Sequence, residues 1–82
     1  MEKNISEVIE SREVSTEDLF ECLEMIKKDG NVVVIKFDGE RQENQYTAFI
    51  TFPTSRKKEM IRADESSMKN AILKILKSYI HA

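Results

Sequence analysis

The sequence predicts an α+β fold, a two-layer sandwich of α-β-β-(β)-α order with two helices on one face of a small antiparallel sheet. Three observations predict it. Two segments, one before and one after the middle of the chain, carry apolar residues at helical spacing. Two β-branched and aromatic runs lie between them, ended by turn residues. The connection between those runs is short, which favours antiparallel neighbours. With 82 residues there is room for one core. Residues 15–82 are expected to form a single α+β domain, preceded by an arm or short extra element over 1–14.

The first helix is predicted over 15–29, in "STEDLFECLEMIKKDGN". Ser15 or Thr16 can cap it, with Asp18 three residues beyond Ser15. Leu19, Leu23 and Ile26 recur at i, i+4 and i+7, flanked by Phe20 and Cys22. Carboxylates come early and Lys27-Lys28 last, as the helix dipole prefers. Gly30 then offers a left-handed cap. "NVVVIKFDG" reads as a strand, and its four consecutive aliphatic residues suggest cover on both faces, at least at its start. "YTAFITF" is the second strand, with Tyr46, Ala48, Ile50 and Phe52 on one side. Pro53 ends it, having no N–H to donate. "KKEMIRA" is read as a third strand. A second helix is expected over 65–80, capped by Asp64 or Ser66, with Met68, Ala71, Ile72, Ile75, Leu76, Tyr79 and Ile80 as its apolar stripe. "NISEVIES" is open between a short helix, an edge strand and a loose arm.

Composition and motifs exclude most chemistry. There is one histidine, His81, and one cysteine, Cys22, on the apolar edge of a helix. A zinc site of protein Cys and His ligands is impossible with one of each. The two glycines, Gly30 and Gly39, form no phosphate loop. A Cys22–His81 dyad is conceivable and a carboxylate-only site has no supporting pattern, so an enzyme, a cofactor and a metal are not expected. No apolar run is long enough to span a bilayer, and the N-terminus has no signal-peptide core. These features, with a single cysteine, point to the cytosol.

Binding remains, and the charge is polarised. Residues 1–41 carry a net −5 and residues 42–82 a net +3, within a total of −2. Glu17, Asp18, Glu21 and Glu24, with Glu7, Glu10 and Glu13 nearby, could imitate a phosphate-like surface and occupy the basic site of a nuclease or nucleic-acid-binding protein. In that respect the chain is similar in type to immunity proteins, antitoxins and the small early proteins of lytic phages. The leading expectation is therefore a small inhibitor or modulator of a partner protein. The alternative is an RNA-binding edge made by Arg56, Lys57, Lys58, Arg62, Lys69, Lys74 and Lys77, which requires that the 56–62 connection and the last helix converge. An exposed strand edge, "NVVVIKF" or "KKEMIRA", together with so small a core, predicts a homodimer.

The order helix–strand–strand–strand–helix over residues 15–80 resembles, as topology, the double-stranded-RNA-binding domain and the small RNA-cleaving toxins that share its shape. The resemblance implies contact with duplex RNA through the start of the last helix, where that family carries a lysine-rich cluster. The corresponding stretch here is "ESSMKNAILK", with Lys69 near the helix start, and the connection between the first two strands is "DGERQENQ".

Overall fold

The computed structural model describes residues 4–82; Met1 to Lys3, at the start of the expected 1–14 element, lie outside the described residues. The chain is α+β: helices α1 (Ile5–Glu10) and α2 (Thr16–Lys28), strands β1 (Val32–Phe37), β2 (Tyr46–Thr51) and β3 (Ile61–Glu65), and helix α3 (Met68–Ile80), with a 3-10 turn at Thr54–Arg56. The sheet is antiparallel in the order β1-β2-β3, so β2 is central and β1 and β3 are edges.

Each helix begins where a short polar side chain can take up an orphan N–H. Asn4, Ser15 and Ser67 cap α1, α2 and α3, accepting from the backbone N–H of Glu7, Asp18 and Asn70. Of the three options for "NISEVIES", the short helix is the one found. It buries Val8 among α2 and α3. α2 ends in a two-bond turn: Gly30 donates to the Lys27 carbonyl and Asn31 to that of Ile26. That closure needs a left-handed residue, and Gly30 supplies it at φ 88°.

Leu19, Cys22 and Ile26 from α2 and Ala71, Ile72, Ile75 and Leu76 from α3 bury against Ala48 and Ile50 of β2 and Ala63 of β3. The helices therefore cover the sheet face that carries Val33, Ile35, Ala48 and Ile50. The other face, with Val32, Val34, Phe49 and Thr51, has no second layer among the described residues. The expectation that β1 is covered on both faces is thus corrected: Val32 is 56% exposed. Four aliphatic residues in a row reflect an edge strand with one bare side.

The third strand exists but starts late, at Ile61, because Thr54–Arg56 turns and Lys57 takes up a left-handed conformation. It also ends late. Asp64 and Glu65 lie in the ladder opposite Thr47 and Tyr46, so α3 begins at Met68 under the Ser67 cap, rather than at 65 under Asp64 or Ser66. The cap signal at Asp64 was outweighed by strand pairing that only tertiary structure supplies.

A Cβ on residue 30 would meet Arg56 Nη2 at 3.7 Å, an ordinary contact, so substitution there costs backbone strain alone. Gly30→Ala is expected to lower unfolding free energy by about 1–2 kcal/mol, the cost of an L-residue in the left-handed region. Urea denaturation would show it as a lower midpoint at unchanged slope.

Candidate interaction surfaces

The two ends of the sheet are held by polar knots, and these decide which charged side chains face solvent unpaired. At the end where α2 turns into β1, Asn31 is 4% exposed and its side chain is fully satisfied. Its Nδ2 donates to the Ile26 carbonyl at 3.2 Å and to Tyr79 Oη at 3.3 Å, while its Oδ1 accepts from Arg56 Nη1 at 3.0 Å. The same guanidinium reaches Asp29 Oδ2 at 3.1 Å and the Asp29 carbonyl. Tyr79 Oη donates to Asp29 Oδ2 at 3.3 Å. Burial, and then the Asp29 carboxylate, push the Tyr79 phenol up. Beside this knot the Tyr79 ring stacks on Phe52 at 6.1 Å, and the Lys58 ammonium lies 5.4 Å from the Phe52 centroid.

At the opposite end Asp64 gathers four donor groups from three side chains. Arg41 Nη1 donates at 2.9 Å, Arg62 Nε at 3.1 Å and Nη2 at 3.3 Å, and the buried Thr47 hydroxyl completes the set. Arg41 belongs to the β1–β2 connection, so this carboxylate pins that loop across β2 to β3. Hydrogen bonds from Arg62, Thr47 and Arg41 hold its carboxyl well below the usual carboxylate range.

Four of the seven basic candidates are engaged within the fold. Arg56 is a turn anchor locked onto Asp29 and Asn31. Arg62 pairs with Asp64 along the strand, and Lys74 pairs with Glu65 at 3.2 Å. Lys58 lies over Phe52. Lys57, Lys69 and Lys77 make no ion pair among the described residues. α3, about 20 Å long at 1.5 Å per residue, puts Lys77 at the Tyr79 end and Lys69 at the end nearer Asp64.

The acidic candidates fare differently. On α2, Glu17, Glu21 and Glu24 follow at i, i+4 and i+7 and share the side opposite Leu19, Cys22 and Ile26. All three are exposed. Glu24 pairs with Lys27 at 2.7 Å, and that lysine holds its carboxyl below its ordinary value. Asp18 stands to one side of the stripe, half-buried, its backbone N–H on the Ser15 cap. Phe20 flanks the stripe and is 48% exposed. Cys22 is fully buried, and burial with the Asp18 and Glu21 carboxylates pushes its thiol up, away from the thiolate that nucleophilic or ligand chemistry needs. No group of His, Cys, Asp and Glu among the described residues is placed to hold a metal ion, and no helix among them is long and apolar enough to cross a membrane.

A third surface is the β1 edge. A groove of about 340 Å³ runs between α2 and β1, lined by Leu23, Glu24 and Lys27 on the helix and Asn31, Val32, Val33 and Ile35 on the strand side. Phe37, at the far end of β1, is 65% exposed; its ring meets Tyr46 edge-on at 5.2 Å. Asp29, Asn31, Tyr79, Arg41 and Asp64 had escaped notice in the sequence as organising residues. The only sequence signal was an asparagine standing alone between Gly30 and an aliphatic run.

Comparison with protein-family models, with curated proteins and with solved structures returns no match to this chain.

Asp64 yields a pH prediction. Its folded pKa lies below the unfolded value of about 3.9, so its contribution is complete above that pH and is lost as pH falls below it. Asp64→Asn is expected to melt lower than the wild type at neutral pH and to lose less on acidification. Melting curves between neutral pH and about pH 2 would check this; parallel acid limbs would contradict it.

Proposed function

We propose that this chain is a non-enzymatic cytosolic binding protein that inhibits or modulates a partner protein, and that it pairs with a second copy of itself. The partner fits a nuclease or another protein with a basic, nucleic-acid-binding site. The observation that carries this reading is the exposed stripe of Glu17, Glu21 and Glu24 on α2, turned away from the core and flanked by the half-exposed ring of Phe20. Carboxylates about 5–6 Å apart along a helix present a regular row of negative charge. An aromatic beside them supplies the apolar anchor that charge alone lacks, since buried aromatics dominate interface energies and rim charges mainly steer encounter and set specificity. The stripe sits on a helix fixed at both ends, by the Ser15 cap and by the Gly30–Asn31 turn, so little ordering is needed on binding.

The RNA-binding reading has less support. Arg56, Arg62 and Lys74 already have internal carboxylate partners, and Lys69 and Lys77 lie toward opposite ends of α3. Phosphate-backbone affinity depends on several free cations along one face.

Glu17, Glu21 and Glu24 have no role in the core, so their joint change to Lys should leave the fold intact. In affinity capture from the native cell after nuclease treatment, the triple variant is expected to retain a tenfold smaller yield of the bound partner, about 1.4 kcal/mol. Capture equal to the wild type, with an unchanged melting temperature, would sink the acidic-stripe reading.

A further inference from the structure

The two edges of the sheet are unlike. β3 presents Arg62, Asp64 and Glu65, charges that discourage edge pairing. β1 presents Val32, Val33, Val34, Ile35 and Phe37, with Lys36 as its one charge, and that lysine is drawn to Asp38 at 3.3 Å. It holds no proline and no bulge. Such an edge is a template for another strand.

The ladder fixes which backbone groups are free. Asp38 donates to the Gln45 carbonyl at 2.7 Å, and Phe37 is opposite Tyr46. Hydrogen-bonded pairs alternate in an antiparallel ladder. Hence Val32, Val34 and Lys36 direct their backbone groups at β2, and Val33, Ile35 and Phe37 direct theirs outward. The free edge therefore carries three N–H and three C=O groups, and they belong to the residues whose side chains lie on the helix-covered side of the sheet.

We propose that β1 pairs antiparallel with β1 of a second copy, with Ile35 on the two-fold axis, to make one six-stranded sheet. This rests on the reading that the chain self-associates and names the surface that does it. In this register Val33 faces the partner copy's position 37 and Ile35 faces its own equivalent, so all six outward groups of each copy are paired. No other two-fold register uses all of them.

Side chains favour the same pairing. Phe37 is the most exposed of the large apolar residues among those described. Beside Val33 and Ile35, under Leu23 of α2, lies the groove of about 340 Å³. The two-fold places the Phe37 ring of each copy at the Val33 end of the other's groove, a knob meeting a hole twice over. The groove's helix wall offers one acid and one base, Glu24 and Lys27. Glu17 and Glu21 lie outside the lining of this groove. The interface is small. Six strand residues span about 20 Å, and the molecule's shortest dimension is 18 Å, giving roughly 360 Å² in projection, below the ~800 Å² per partner of a standard interface. The dimer is therefore concentration-dependent.

The test combines sedimentation equilibrium with amide hydrogen exchange by NMR, from about 10 μM to 1 mM, a range suited to a small interface. The mass is expected to rise from 9.5 kDa toward twice that value. The amides of Val33, Ile35 and Phe37 should slow at least about tenfold at the high concentration, while those of Val32, Val34 and Lys36 are protected throughout. Phe37→Ser is expected to weaken the dimer at least about tenfold, beyond the small loss of monomer stability from its edge-on contact with Tyr46. A 9.5 kDa species at every concentration overturns the proposal. So does a dimer that leaves Val33, Ile35 and Phe37 unprotected, as packing through the bare sheet face would. Phe37→Ser keeps the acidic stripe intact, so loss of the dimer with retained partner capture separates this proposal from the stripe's role.

Discussion

The buried amide of Asn31 is the constraint on which the rest of the molecule depends. A carboxamide removed from water costs more than it returns unless its donors and acceptor are matched. Here the match is made by three separate segments: the last turn of α2 through the Ile26 carbonyl, α3 through Tyr79, and the β2–β3 connection through Arg56. Satisfying one side chain therefore requires that all three segments arrive together. The Gly30 turn delivers Asn31 to its place, and Asp29 holds both Arg56 and Tyr79 from the rim. Apolar burial drives the collapse, but it is non-directional. The knot sets the level at which α2 and α3 lie on the sheet.

Asp64 performs a parallel task at the other end, and together the two knots explain the surface. Each consumes arginine. Arg56, Arg62 and Arg41 are all engaged with internal acceptors, so a chain with a net positive second half presents less free basic charge than its sequence suggests. Glu17 and Glu21 of α2 meet no comparable demand, because the helix termini are already capped and the core lies on the opposite side. Charge left over after the fold has used what it needs is the charge available to a partner. Among the described residues that remainder includes Glu17 and Glu21 on α2 as well as Lys57, Lys69 and Lys77. A polar scaffold and an exposed acidic stripe on α2 thus follow from one distribution of hydrogen-bond partners.

Much of the architecture was legible because it is local. Ser15 and Gly30 bracket α2 by chemistry that acts within a few residues, and the stripe of Ala71, Ile72, Ile75 and Leu76 identifies α3 whatever surrounds it. Where partners lie far apart in the chain, reading failed for a stated reason. Asp64 looks like a helix cap and is instead a strand residue, since Thr47 and Arg41, 17 and 23 positions earlier, claim its carboxylate. Arg56 looks like part of a solvated basic run, since Asn31, 25 positions before it, is invisible as its acceptor. Val32 to Ile35 look doubly covered, because continuous apolar character does not tell a buried central strand from an edge awaiting a neighbour.

The claim that Arg56 serves the fold rather than a phosphate is the hinge of this account, and a double-mutant cycle tests it directly. Unfolding free energies would be measured for the wild type, Asn31→Ala, Arg56→Ala and the pair. The two side chains share one hydrogen bond and a common set of partners, so the account predicts that each single change is destabilising and that the pair departs from additivity by more than about 0.5 kcal/mol. An Arg56→Ala protein as stable as the wild type, or strict additivity, would contradict it and return Arg56 to the solvated turn from which a nucleic-acid contact could be built.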